Sequence, residues 1–349
     1  AGFKKGIMYG FFCMATGAML FVPAALIRTY WFFLIGLFSI GTGLTILQAA
    51  ANPYITIVGP IESAAKRISI MGICNKFAGI IAPLIFAAII LKSSDSVIFE
   101  QLNVGAFSEA EKDVVLDGLI RRVIWPYSIL SIFLFAVGIF IRYSVLPEIN
   151  QEEENKEVET DDGKSHTSIL QFPYLLMGAV AMFLHVGTQV IAIDTIIGYA
   201  NSMHMDLLEA KVFPSYTLTA TICGYIMGII LIPKYLSQKR AFQICCTLGL
   251  IFSLGVVLSN MQVSFWGHDA NLSIWFLVLL GFPNSLIYAG IWPLSIRGLG
   301  RFTKIGSSLL IMGLCGNAIL PLIYGHFADL FSVKQAYWVL IPCYLYLMF

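Results

Sequence analysis

About ten stretches of roughly 20 mostly apolar residues, each long enough to cross the hydrocarbon core of a bilayer as a helix, recur along this 349-residue chain with short polar breaks between them. They centre on Gly17, Leu44, Ile81, Leu134, Ala181, Gly224, Ile251, Leu286, Leu314 and Leu340. In lipid every backbone polar group must be paired within the protein, which leaves helices and closed barrels as the only spanning structures. Alternating barrel strands are absent from the pattern. The expected fold is therefore that of an all-α membrane protein. Composition supports this, since 58% of the residues are hydrophobic and 12% charged, too few charges to cover a water-soluble domain of this size.

The same numbers exclude whole classes of function. A soluble enzyme is ruled out. A formal charge of +1, with scattered Lys and Arg, offers no surface for nucleic acid. The seven cysteines all lie inside apolar runs, where neither a disulfide framework nor a metal-ligand spacing can be built. They read as small buried hydrophobes, and no cofactor or metal is expected.

Lys and Arg in short loops set the orientation. With a cytoplasmic N-terminus, the inner loops collect Lys4, Lys5, Lys66, Arg67, Arg142 and most of the later basic residues, while the outer loops hold few. Two loops are long. The outer one, 94–123, carries an amphipathic stretch over 107–119 expected to form a short surface helix. The other, 147–168, is strongly acidic and reads as a solvated cytoplasmic linker between two helical bundles, residues 1–146 and 169–349.

The two halves echo one another. IMGICNKFAGIIAPLI at 70–85 matches IMGLCGNAILPLI at 311–323, and KKGIMYGFFCMATGAMLF at 4–21 matches KRAFQICCTLGLIFSLGV at 239–256. Each pair enters the membrane from the same side, the mark of a parallel repeat in two-bundle carriers. Six spans follow the linker and four precede it. Equal halves would require two further helices before residue 1.

The stretch from Gln48 through Asn52, Pro53 and Tyr54 to Pro60, followed by Glu62 and Arg67, resembles the fourth-helix signature of the fucose permease and glucose/galactose transporter family of the major facilitator superfamily. Gly281 to Tyr288, leading through Arg297 to Thr303 and Ser308, is similar to that family's tenth helix, and His185 to Gln189 to its seventh. The resemblance implies a two-bundle fold of twelve helices, about ten of them in this chain, in a bacterial inner membrane. It also implies alternating access and import of a monosaccharide with a coupling cation, H+ or Na+, by a monomer. Fucose permeases carry a glutamate where this chain has Gln48, and glucose/galactose members commonly a glutamine, which points to glucose or galactose ahead of fucose. A sugar sensor that does not transport is the alternative, and an integral membrane enzyme a weaker one, since the five histidines are dispersed and no acid pair shares a span.

Polar residues inside spans must face partners or a wet cavity. Gln48, Asn52 and Thr56 fall at i, i+4 spacing on one helix face, and amides supply both the donors and the acceptors that sugar hydroxyls require. Asn52 precedes Pro53, so a kink is expected there. Asn284, Tyr288 and Trp292 repeat the spacing, with aromatic faces suited to a pyranose ring and an amide suited to a hydroxyl. Interhelical hydrogen bonding and plain packing are the competing readings. Gln189 lies one turn from His185. Of the 20 acids only Asp194 falls within a span, which makes Asp194 a candidate coupling site alongside His185. It lies about 33 Å along its helix from Phe172, close to the outer interface. Lys76 is expected about two turns inside the cytoplasmic end of its helix, with its stem snorkelling to the interface or gating the path. No direct ion pair between Lys76 and Asp194 is expected.

Overall fold

The computed structural model describes residues 2–90, 109–145, 169–203, 205, 207–299 and 302–349. The linker expected at 147–168 and the first part of the outer loop lie outside the described residues. Long helices dominate: α1 (Phe3–Ile27), α2 (Tyr30–Ile57), α3 (Ala64–Ile90), α4 (Glu109–Arg121), α5 (Ile124–Tyr143), α6 (Pro173–Asp194), α7 (Ile196–Ser202), α8 (Phe213–Leu231), α9 (Gln238–Leu258), α10 (Leu272–Leu279), α11 (Gly281–Ile296), α12 (Thr303–Met312), α13 (Gly316–Leu330) and α14 (Leu340–Met348). Nine of the expected span centres fall within these helices. The tenth, Leu314, lies in the single 3-10 turn that joins α12 to α13, and those two helices together form one span, Thr303–Leu330. The surface helix expected at 107–119 is α4. Helix α2 runs through Pro53 without a break in its assignment.

One element departs from the all-helical expectation. Gln262–Phe265 and His268–Asn271 form an antiparallel β-hairpin, β1 and β2, between α9 and α10. Its turn is Trp266-Gly267, both with positive φ, at 52° and 80°. That is the backbone of a type I′ turn, whose right-handed twist matches the strands. The apolar length rule was blind to it because the segment is too short and too mixed to span.

The contacts divide the chain into two compact units, one of 1–51 with 78–149, the other of 52–77 with 150–349. In the first unit α1 packs along α5. The Ser131 hydroxyl donates to the Ala15 carbonyl at 2.8 Å, and the rings of Phe21 and Tyr127 stack at 4.4 Å. Gly17 and Gly43 let α1 and α2 approach so closely that a Cβ would meet backbone at under 3 Å. Close approach of backbones through small residues is how helices associate where lipid removes the hydrophobic drive. At the C-terminal end of α1 the Arg28 guanidinium pairs with Asp117 of α4 at 3.1 Å.

In the second unit α6 crosses α13 at Gly187 and Gly316, where an added Cβ would strike Leu320 and the Phe183 carbonyl. Helix α11 runs through the middle of the unit and is buried on nearly every side. The ends of α2 and α3 belong to this unit. Arg67 holds them together: its guanidinium donates to the carbonyls of Ile55 at 2.8 Å, Thr56 at 2.6 Å and Pro60 at 3.0 Å, and to the Ser63 hydroxyl at 2.7 Å. The Ile55 and Thr56 carbonyls lie in the last turn of α2, where carbonyls lack a helical partner of their own. Gln238, the first residue of α9, clasps the start of α3, accepting from the Ala65 amide at 2.9 Å and donating to the Ile61 carbonyl at 2.7 Å.

Candidate functional site

Asn284, Tyr288 and Trp292 project from successive turns of α11, as their spacing predicts. Asn284 and Trp292 are buried, and Tyr288 keeps part of its ring open. The Asn52 amide of α2 donates to the Tyr288 hydroxyl at 3.2 Å. The Tyr344 hydroxyl of α14 donates to Asn284 Oδ1 at 2.6 Å. Tyr344 in turn is seated against Gly249 of α9, where a Cβ would collide with the ring. From α6 comes His185, fully buried, its ring centroid 6.2 Å from that of Tyr288. Five expected site residues, Asn52, His185, Asn284, Tyr288 and Trp292, therefore meet around one aromatic side chain.

Their polar atoms are incompletely paired. Both ring nitrogens of His185, Nδ2 of Asn284 and Nε1 of Trp292 are buried without a hydrogen-bond partner. Trp292 Nε1 reaches toward the Tyr288 oxygen without the geometry of a bond. Native interiors hold few such atoms, and each costs about 1–3 kcal/mol. Four around one residue is the arrangement expected where a hydroxylated guest supplies the missing donors and acceptors.

Other expected site residues lie apart from this cluster. Gln48 is one turn before Asn52 on α2 but belongs to the first unit. It is half-buried and makes no hydrogen bond among the described residues. Gln189 follows His185 by one turn of α6, half-buried and likewise unbonded. Asp194 closes α6 and is exposed. Thr56, third in the polar stripe, is buried and turned back on its own helix, donating to the Asn52 carbonyl at 2.7 Å.

Lys76 requires a correction. Helix α3 starts at Ala64, which places Lys76 about 18 Å along it rather than two turns in. Among the described residues no ion pair joins it to Asp194, but the two are close enough for their charges to interact, and the Lys76 charge also acts on His185. Residues the sequence did not single out complete the surroundings. Tyr225 of α8 packs its ring over Gly72 of α3, and Thr188 lies beside Tyr344. The only local signal for Tyr225 was a glycine one turn before an intramembrane lysine. For Tyr344, one of 15 tyrosines, there was none.

The chain has well-defined relatives. The Major Facilitator Superfamily model matches residues 1–303. A glucose/galactose transporter of Brucella abortus is 30% identical over 99% of this chain and 77% of its own length. The L-fucose-proton symporter of Escherichia coli is 27% identical over 94% of this chain and 72% of its own. Among solved structures, the major facilitator transporter FucP in its outward conformation superposes with a TM-score of 0.82 at 25% identity, covering 99% of this chain and 81% of FucP.

Proposed function

Because the chain belongs to the major facilitator superfamily, we propose that it is a secondary active transporter importing a monosaccharide by alternating access across a bacterial inner membrane. The names of its relatives point to glucose or galactose, with fucose next, and to a proton as the coupling cation. Rocking of two bundles about a site near the midplane is the mechanism such repeats support.

The observation that carries this reading is the set of four unpaired buried polar atoms around Tyr288. A pyranose presents hydroxyls that both donate and accept, and Asn284, His185 and Trp292 offer both kinds of partner. The open part of the Tyr288 ring would face the apolar side of the sugar. Asn52 positions the Tyr288 hydroxyl. Gln48 and Gln189, unbonded on half-buried faces, are further candidates for sugar contact, each within its own unit. His185 and Asp194 are the groups through which a coupled proton would act, with Asp194 at the watery end of α6. In this reading the acidic linker would face the cytoplasm and the carrier would act as a monomer.

The test is transport by the full-length protein in proteoliposomes. Counterflow of labelled glucose or galactose, and accumulation above equilibrium under an imposed proton gradient, are expected. A sodium gradient replacing the proton gradient would reassign the cation. Absence of exchange for every hexose in a panel, with sugar binding retained, would turn the protein into a sensor and overturn the proposal.

A further inference from the structure

A neutral hexose leaves one charge near the site without a use. Helix α3 begins at Ala64, so Lys76 stands about 18 Å along it, more than three turns in. It is half-buried and has neither an ion pair nor a hydrogen bond among the described residues. An ammonium at this depth is costly and is found where function requires it.

The packing of α3 shows where that charge is directed. Ser69, Gly72 and Lys76 share one face of the helix. Ser69 lies against Gly228 of α8, at 3.3 Å from the position a Cβ would take there, and Gly72 lies under the Tyr225 ring. That face therefore packs against α8 within the second unit, and Lys76 is the next turn along the same face. The Lys76 charge acts on His185, whose ring lies 6.2 Å from that of Tyr288. Among the described residues no acid forms an ion pair with it. Asp194, exposed at the end of α6, is the carboxylate whose charge acts on Lys76, but no ion pair joins the two.

We infer that the sugar this site takes carries a carboxylate, that is, a hexuronate, with the Lys76 ammonium pairing the carboxylate and the Asn52, Tyr288 and Asn284 row holding ring hydroxyls. The inference rests on the transport reading and sharpens its substrate class. A carboxylate at the sixth carbon neutralises an ammonium and accepts charge-assisted hydrogen bonds from it while adding no bulk beyond the hexose ring and its substituent. Inside a low-dielectric site such a pair discriminates strongly against a partner lacking the charge.

D-galactose and D-galacturonate present the same ring hydroxyls and differ at the sixth carbon, so they isolate the charge. Counterflow of each, labelled, is measured in proteoliposomes with the full-length protein and with Lys76→Gln. Galacturonate is expected to exchange faster than galactose. Lys76→Gln should lower galacturonate exchange by at least about tenfold, the size of a lost charged hydrogen bond, while galactose exchange persists and shows that the variant is folded. Quenching of tryptophan emission by each sugar in detergent gives a second, transport-independent readout, since Trp292 lines the site. Galactose exchange without galacturonate exchange would overturn this inference and leave monosaccharide transport standing. Galacturonate exchange unaffected by Lys76→Gln would also overturn it. Exchange of neither sugar nor of any hexose would bring down the transport reading itself.

Discussion

The Asn52 side-chain amide donates to the Tyr288 hydroxyl across 3.2 Å, joining residues 236 positions apart in the chain. The bond ties the last turns of α2 to the centre of α11 and fixes the direction in which the Tyr288 oxygen presents its remaining lone pair. Neither residue could satisfy the other by helix geometry alone.

If the two act as one unit, Asn52→Ala and Tyr288→Phe should each reduce hexose counterflow, and the double variant should be little worse than either. A coupling of about 0.5–1.5 kcal/mol is expected from the double-mutant cycle. Additive losses would mean that the bond is incidental to transport.

Tyr344→Phe removes the donor to Asn284 Oδ1 and leaves the amide free to rotate. The concentration of sugar giving half-maximal exchange should rise about fivefold, matching a loss of roughly 1 kcal/mol, with the maximal rate nearly unchanged. A fall in rate at unchanged half-saturation would place Tyr344 in the conformational step instead of in binding.

Arg67→Lys keeps the charge but cannot reproduce a planar fork that reaches Ile55, Thr56, Pro60 and Ser63 together. Thermal unfolding in detergent should show a destabilisation of about 1–3 kcal/mol, because carbonyls at the end of α2 lose their donor. An unchanged melting temperature would show that water replaces the guanidinium without cost.

Gly72→Leu places a side chain where the Tyr225 ring lies. Overpacking of this kind costs about 1–3 kcal/mol, and the displaced ring should also disturb Tyr288 and so lower exchange. Adding Tyr225→Ala should restore part of the stability by making room. Failure of the second substitution to rescue would locate the strain elsewhere on α3.

Much of the site was legible before any coordinates because helical periodicity is a local property. Asn284, Tyr288 and Trp292 share a face by spacing alone, and the structure adds only which neighbours that face meets. The depth of Lys76 was misjudged for a local reason too. The polar pair Glu62 and Ser63 and the charges at Lys66 and Arg67 read as loop, whereas the helix already begins at Ala64. The hairpin at Gln262–Asn271 escaped notice because its strands are four residues each and neither is long enough to show a period.

Bilayer-length apolar runs dictate a helical membrane protein, and the intramembrane amides, aromatics and lone charges are visible in the same text, because the cost of burying polar groups in lipid acts on each residue where it stands. Which of them become neighbours was decided only by packing. Tyr225 meets Gly72 of α3, and Tyr344 reaches Asn284 from its seat against Gly249, because glycines on facing helices leave room for the rings. Contacts of that kind depend on the crossing of helices far apart in the chain, and no local pattern of residues encodes them.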